Sequence, residues 1–300
     1  MIDFTNSPLR NKAYAGANGS KISVLYNDEL YMLKFPSVSK INKELSYTDG
    51  CISEYIGCHI FESIGIPVQE TLLGTYLNGK EKVVVACKDF TKHGLVFQDF
   101  ASLKNTIIDS EHNGYGTELD DVLNTIEKQR AIDPIILRER FWDVFIVDAL
   151  IGNWDRHNGN WGFLYDSSTD ETTLAPVFDC GSCLFPNAGA DIMQRTINEA
   201  KERDARVFSI PLSALKVDNH KINYFDFISS LKNKDCNKAL KRIVPKISLV
   251  KINSIIDGTP YITDLQKEFY KTMITERKER ILDFSLSRLI AREKEHQQQR

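Results

Sequence analysis

Cysteine is scarce in this chain, and what there is has no pattern. Six cysteines lie scattered over 300 residues, too few for the disulfide framework of a small secreted domain. Only Cys180 and Cys183 have C-x-x-C spacing, and no second pair or nearby histidine completes a zinc site, so no metal or redox role is expected there. His59, His93, His112, His220 and His296 show no ligand spacing, and nothing resembles a Ser-His-Asp hydrolase. Cys58 and Cys87 fall in apolar segments, as core fillers do. A membrane-length apolar run is missing as well, and Met1-Ile2-Asp3-Phe4-Thr5-Asn6 lacks the basic-then-apolar layout of a signal peptide. A cytoplasmic protein without a membrane span is the default expectation. Charge of either sign is not in excess: 38 Lys and Arg oppose 41 Asp and Glu, a formal net charge of −3. That balance gives no reason to expect direct nucleic-acid binding or a membrane surface.

The rest of the composition is that of a globular protein, with 42% hydrophobic and 26% charged residues. The length allows one large domain or two lobes. Lys21 to Tyr26 and Leu30 to Phe35 read as strands joined at Asn27-Asp28. Ile52 to Ile64 carries an apolar stripe at helical spacing and is stopped by Gly65 and Pro67. Leu72 to Leu77 and Lys82 to Cys87 flank Asn78-Gly79, a strong hairpin signal. Strand, strand, helix, strand, strand is the plan of a small nucleotide-covering lobe, expected over residues 1–90. From there to residue 300 a larger, mainly helical lobe is expected, so the fold class is α+β and two-lobed. Asp109 to Asp121 reads as a polar surface loop, Arg138 to Ile151 as a mostly buried helix, and Trp161 to Tyr165 with Thr173 to Phe178 as a strand pair. Apolar clusters at Phe225 to Leu231, Ala239 to Val250 and Phe269 to Leu289 predict helices, and Arg292 to Arg300 a solvated end.

The chemistry concentrates in Asn153-Trp154-Asp155-Arg156-His157-Asn158-Gly159-Asn160, followed by Phe178-Asp179-Cys180-Gly181. An Asp and an Asn five apart in a loop, then a second Asp after an apolar run, suit Mg²⁺ held on a nucleotide phosphate while a carboxylate orients an incoming hydroxyl. Asp155 is the candidate catalytic carboxylate. Asn160 and Asp179 are candidate metal ligands, because Mg²⁺ accepts sparse oxygen ligation completed by water and phosphate. Asp, Asn and Gly also serve ordinary turns; the combination of both halves, joined by strands, favours phosphoryl transfer. Lys34 sits on a strand between apolar neighbours, a costly place for an ammonium without an anion, and is expected to contact phosphates. Reaching solvent from an edge strand is its bland alternative. Glu54 is a candidate partner for Lys34 or simply a helix N-terminal acid. Ala15-Gly16-Ala17-Asn18-Gly19-Ser20 precedes the first hairpin and could bring backbone N–H groups to phosphates, although it matches neither G-x-G-x-x-G nor a Walker A motif. His157 is a candidate nucleotide contact or a plain loop histidine.

These features, in this order over roughly residues 10 to 185, resemble the HipA-like serine/threonine kinases: Ala15-Gly16-Ala17 before a strand, Leu33-Lys34-Phe35-Pro36, the Asp155 to Asn160 loop and Asp179. The resemblance implies an ATP- and Mg²⁺-dependent, autophosphorylating protein kinase acting on Ser or Thr. It also implies a bacterial effector that reaches host cells. By position it makes Ala15 to Ser20 the phosphate cover, Lys34 the phosphate-holding lysine and Lys88 to Phe90 the adenine-binding hinge. Asp155 becomes the base, His157 a nucleotide contact, and Asn160 and Asp179 the metal ligands. Two departures matter. Only a short segment precedes the phosphate loop, which argues against an antitoxin partner, and the family's autophosphorylated serine aligns with Ala13. The Asp155 to Asn160 loop is also similar to that of phosphoinositide kinases, so a lipid or small-molecule acceptor is the alternative. The nearest basic cluster, Arg277-Lys278-Glu279-Arg280, is broken by an acid, which favours a protein acceptor. A kinase-shaped binding module is the third reading, and the intact set of Lys34, Asp155, Asn160 and Asp179 argues against it.

Overall fold

The Asn27-Asp28 turn sets the first sheet. Both residues have left-handed φ, at 47° and 60°, as a two-residue hairpin requires, and the strands on either side pair from Tyr26 with Glu29 to Lys21 with Lys34. A computed structural model describes residues 1–14, 21–36, 49–92, 94–108 and 113–298. The expected phosphate loop, Ala15 to Ser20, lies outside the described residues, as do His93 and His112.

The N-terminal part contains β1 (Ile2–Asp3), β2 (Leu9–Arg10), β3 (Lys21–Tyr26), β4 (Glu29–Lys34), α1 (Gly50–Ile64), β5 (Thr71–Asn78) and β6 (Lys80–Lys88). The strands form one sheet in the order β1-β5-β6-β4-β3-β2. The short β1 joins parallel to β5, and the other pairings are antiparallel. Both faces are covered. Phe4, Val24, Tyr31, Leu33, Phe35, Val84 and Ala86 form a cluster on one, and Leu73, Val85 and Cys87 join α1 in the main core on the other. Lys34 therefore lies on a central strand, which removes the edge-strand explanation for it.

Next come β7 (Leu95–Asp99), α2 (Phe100–Ile107), α3 (Leu119–Lys128), α4 (Pro134–Ile151), β8 (Gly162–Asp166) and β9 (Glu171–Leu174). β7, β8 and β9 make a small antiparallel sheet. The remainder is α5 (Ala190–Asn198), α6 (Ala200–Asp204), β10 (Leu212–Val217), β11 (His220–Asn223), α7 (Tyr224–Ser229), α8 (Lys234–Ile243), α9 (Leu249–Gly258), α10 (Asp264–Arg277) and α11 (Phe284–Gln298). The result is a β-rich N-terminal part and a helical C-terminal part.

Three expectations need correction. Residues 119–121 are the first turn of α3 rather than a surface loop: Leu119, Val122 and Ile126 bury one face, and Asp120 and Asp121 suit the helix N-terminus. The second strand of the expected pair ends at Leu174 instead of Phe178. Pro176 has no N–H for a ladder, and the chain turns to a new partner, with Val177 N–H donating to Pro67 O at 2.9 Å and Gln69 N–H to Val177 O at 2.8 Å. The C-terminal third is not wholly helical either. β10 and β11 form a hairpin turned by Asp218 and Asn219, both at positive φ.

Gly57 decides how closely α1 approaches the 180–183 segment. A Cβ there would stand 2.8 Å from Cys180 Cβ and 2.9 Å from Cys183 Sγ. Gly57→Ala should therefore destabilise the protein by roughly 1–3 kcal/mol through overpacking, although alanine is the better helix former. Urea unfolding of the two proteins checks this, and an unchanged or raised midpoint would contradict the packing argument.

Candidate active site

α4 is a buried helix that brings a carboxylate to the base of the site. Asp133 caps its N-terminus, Gly152 ends it with φ 65°, and Asp148, only 2% exposed, lies within its last turn. Arg156, 8% exposed, meets Asp148 through Nε–H donating to Oδ2 at 3.1 Å and an Nη2–H donating to Oδ1 at 3.3 Å. The same guanidinium donates to Asn160 O at 3.1 Å and to Phe178 O. It thus ties the end of α4, the Asp155 loop and the residue before Asp179 into one body. Asn153 Nδ2 also donates to Asp148 Oδ1 at 2.9 Å, and Tyr224 Oη donates to Asn153 O at 2.5 Å. Burial lowers the Arg156 pKa, but Asp148 overcomes that and holds the guanidinium well above its ordinary value.

Within the loop, Asn160 Nδ2 donates to Asp155 O at 2.8 Å. A carbonyl only accepts, so the amide nitrogen must face it, and Oδ1 is the end left as a hard oxygen donor. Asp155 N–H donates to Asn153 Oδ1 at 3.1 Å. Gly159 N–H donates to His157 Nδ1 at 3.0 Å, which leaves Nε2 as the outer ring nitrogen. Burial raises the Asp155 carboxyl, His157 opposes the rise and the nearby Asp179 adds to it.

Opposite the loop, Lys34 Nζ donates to Glu54 Oε2 at 2.9 Å and to Asp179 Oδ1 at 2.8 Å. Glu54 is 1% exposed, Lys34 15% and Asp179 39% by side chain. Asp179 has φ 57°, a left-handed conformation that Asp tolerates better than most residues. Burial would raise the Asp179 carboxyl, but the Lys34 ammonium, helped by Lys21 and Arg156, holds it down at about 2. Lys34 is raised well above its ordinary value: burial works against the charge, and Asp179 and Glu54 outweigh it.

A cleft of about 1170 Å³ separates these groups, lined by Lys34, Glu54, Phe90, Asp155, Asn160 and Asp179 among others. That is ample for a nucleotide. His157 also lines it, and Lys88 does not. The Lys88 N–H donates to Glu70 O at 2.9 Å, its carbonyl accepts from Gln69 Nε2 at 2.9 Å, and its ammonium pairs with Glu70. The wall at this end is instead made by Asp89, Phe90 and Thr91. Asp89, 5% exposed, accepts from Tyr14 Oη at 2.7 Å and pairs with Lys12 at 2.5 Å, anchoring the segment just before the expected phosphate loop. Phe90 packs edge-on to Phe97 and tilted against Phe178. Asp148 and the structural use of Arg156 were not foreseen. An acid in the last turn of a buried helix, eight residues before an Arg, was their only signal.

A Mg²⁺ ion fits the donors present. Asn160 Oδ1 and Asp179 Oδ2 are hard oxygens left over from the bonds just described. Cys180 and Cys183 are buried free thiols, and among the described residues no group of three or more His, Cys, Asp or Glu side chains could hold a metal ion. Among those residues, no helix is long and apolar enough to cross a membrane.

Comparison with known proteins now adds to this geometry. The model of the HipA-like C-terminal domain matches residues 10–249. This chain belongs to the HipA-like family. One HipA-like relative, the serine/threonine-protein kinase CtkA of Helicobacter pylori strain J99, is 52% identical over 299 residues, covering 99% of this chain and 91% of that protein. The crystal structure of the H. pylori proinflammatory kinase CtkA superposes with a TM-score of 0.91 and covers 97% of this chain and 98% of that one, again at 52% identity. HipA of Shewanella oneidensis, solved with HipB and operator DNA, shares the fold at 14% identity and a TM-score of 0.56, covering 93% of this chain and 68% of that chain. The α+β fold with a β-rich N-terminal part is thus that of HipA-like kinases.

Two predictions follow from the charges. Because the folded-state Asp179 value lies below the ordinary 3.8, its pairing contributes fully above about pH 4 and is lost as pH falls toward about 2. The stability difference between the wild type and Asp179→Asn should shrink across that interval in urea titrations, and a constant difference would contradict it. Arg156→Met leaves Asp148 buried without its cation and should cost about 3–5 kcal/mol. Loss of less than about 1 kcal/mol, within the range of exposed pairs, would show the network to be dispensable.

Proposed function

We propose that this chain is a HipA-like serine/threonine-protein kinase, a phosphotransferase that moves the γ-phosphoryl group of ATP to a protein hydroxyl with Mg²⁺. The observation that carries this reading is Lys34 spanning Glu54 and Asp179 across the cleft, with Asp155 and Asn160 on the opposing loop. The name and 52% identity of the H. pylori relative support the phosphotransferase class and the Ser/Thr acceptor. Residues 1–90 form the nucleotide-covering lobe in this reading and residues 91–300 the lobe that supplies the loop and acceptor side.

Each side chain has a part. Lys34, held in place by Glu54, would meet the phosphates, and Asn160 Oδ1 and Asp179 would hold Mg²⁺, which would supply neutralisation of charge on the phosphoryl oxygens. Asp155, set opposite with a carboxylate that accepts no hydrogen bond among the described residues, orients the acceptor hydroxyl and takes its proton. His157, whose Nδ1 accepts from Gly159 N–H, would have Nε2 free to donate to a phosphate oxygen. Phe90 covers the base, and its neighbours Asp89 and Thr91 replace Lys88 as the wall there. By resemblance, Ala15 to Ser20, outside the described residues, would be the phosphate cover. Positioning and fixed charge supply the catalysis, as in other phosphoryl transfers. Autophosphorylation, where it occurs, uses a hydroxyl other than position 13, which is alanine. The proinflammatory description of the relative suggests an effector that acts in host cells.

Purified protein incubated with γ-labelled ATP and Mg²⁺ tests the reading. Wild type should label itself or a protein acceptor, and Asp155→Asn should reduce transfer about a hundredfold or more while still folding. Wild-type-like transfer by Asp155→Asn would overturn the assignment of the base. Labelled lipid without labelled protein would move the acceptor to the lipid class.

A further inference from the structure

Tyr115 is a large side chain 53% exposed at the mouth of the cleft, where it lines the same space as Asp155 and His157. Its ring lies 6.2 Å from that of His157. A Cβ at position 159 would stand 3.0 Å from both His157 Cε1 and Tyr115 Cε1, so Gly159 is what lets the tyrosine stand against the catalytic loop.

The backbone beneath Tyr115 is held unusually firmly for so exposed a residue. Asn158, 1% exposed, donates from Nδ2 to Gly114 O and to Gly116 O, both at 2.8 Å. Lys104, also 1% exposed, donates from Nζ to Gly116 O at 2.6 Å. The buried ammonium is balanced by Asp121 Oδ2 at 3.6 Å, which lets it hold that carbonyl without an unpaired charge. Gly114, with φ 79°, packs so tightly on Ala101 O that any Cβ would overlap it. On its far side the loop is stitched to the β10–β11 hairpin, with Lys216 N–H donating to Thr117 O at 2.9 Å, Thr117 Oγ1 to Ala214 O at 2.7 Å and Asn219 N–H to Glu118 Oε1 at 2.9 Å. Lys221 on β11 is exposed and near enough to Asp155 to act on its carboxylate. Loop and hairpin together make a rigid ledge beside Asp155. Its large exposed ring, Tyr115, lines the same cleft as Asp155, which receives the acceptor hydroxyl in the reading above.

We propose that residues 113–118 and the β10–β11 hairpin are the docking ledge for the acceptor peptide, with Tyr115 packing against an apolar residue that flanks the phosphoacceptor serine or threonine. This rests on the kinase reading above and adds its substrate class. An aromatic ring on an immobile loop offers contact area with little ordering cost on binding, and a fixed neighbour of the catalytic loop is where a flanking side chain must pass.

Paired serine peptides that differ only in the flanking residue, leucine or alanine, test the ledge with the full chain, ATP and Mg²⁺. Wild type should prefer the leucine peptide in kcat/KM by about tenfold, the scale of one apolar contact. Tyr115→Ala should bring the ratio near unity through peptide KM, and Tyr115→Phe should preserve it. Three results would overturn the proposal: no leucine preference in wild type, a preference that survives Tyr115→Ala, or a change confined to the KM for ATP, which would assign the ring to the nucleotide. Absence of transfer to any peptide or to itself by wild type would instead overturn the kinase reading.

Discussion

A guanidinium buried behind a catalytic loop must satisfy all of its donors or destabilise the site it supports. Arg156 meets that condition by bonding to the Asp148 carboxylate, to the carbonyls of Asn160 and Phe178 and to Cys180 Sγ. These groups come from three places in the chain: the last turn of α4, the loop after it and the extended segment that follows β9. Their convergence is what allows Asp155 and Asp179 to face one cleft. Two like charges near each other repel, and only fixed backbone keeps them there. The ion pair is worth little as net stability once desolvation is counted; its value is geometric, because neither segment can shift without stranding a charge.

The second constraint enters from the other side of the cleft. Gly57 lets α1 lie against Cys180 and Cys183, which sets Glu54 where it can hold Lys34. Lys34 in turn belongs to a central strand and reaches Asp179. The two aspartates end in opposite electrostatic states. Asp179, paired with Lys34, is held down at about 2, whereas burial and Asp179 itself raise Asp155. Environments that drive two carboxyls apart give them separate roles. In the proposed reaction the first would serve as an anion for a metal and the second would meet the acceptor's proton.

Much of this was legible in the residues. Period-two strands, the Asn27-Asp28 and Asn78-Gly79 turns and the stripe on α1 are local signals, and local signals survive folding. Asp155, Asn160, Asp179 and the apolar-flanked Lys34 were picked out by residue type and spacing, and the structure brings them to one cleft. What was not legible depends on distance in the chain. Nothing near Asp148 announces that Arg156 will meet it. Lys88 has the sequence position of a hinge, yet the register of β6 against β5 turns its N–H toward Glu70 and leaves its carbonyl to Gln69. The β10–β11 hairpin was hidden in a helical stretch, since Asp218-Asn219 is a weaker turn signal than Asn-Gly. Leu119 looked like loop because its helical partners, Val122 and Ile126, lie beyond the polar run.

The loop that carries Asp155 is fastened at both ends of its chemistry. Arg156 ties it inward to α4, and Asn158, two residues later, ties it outward to the carbonyls of Gly114 and Gly116. The six residues from Asp155 to Asn160 therefore contain the proposed base, its structural anchor, a histidine that lines the cleft and the fixing point of the loop that bears Tyr115. Loops that choose partners usually vary freely over a rigid scaffold. Here the Asp155 loop and residues 113–118 share hydrogen bonds, so a shift in the backbone at Gly114 or Gly116 cannot be independent of that loop. In the reading proposed above, acceptor preference would be tuned at the exposed Tyr115 side chain, because any change to the carbonyls that Asn158 and Lys104 hold would disturb the Asp155 loop as well.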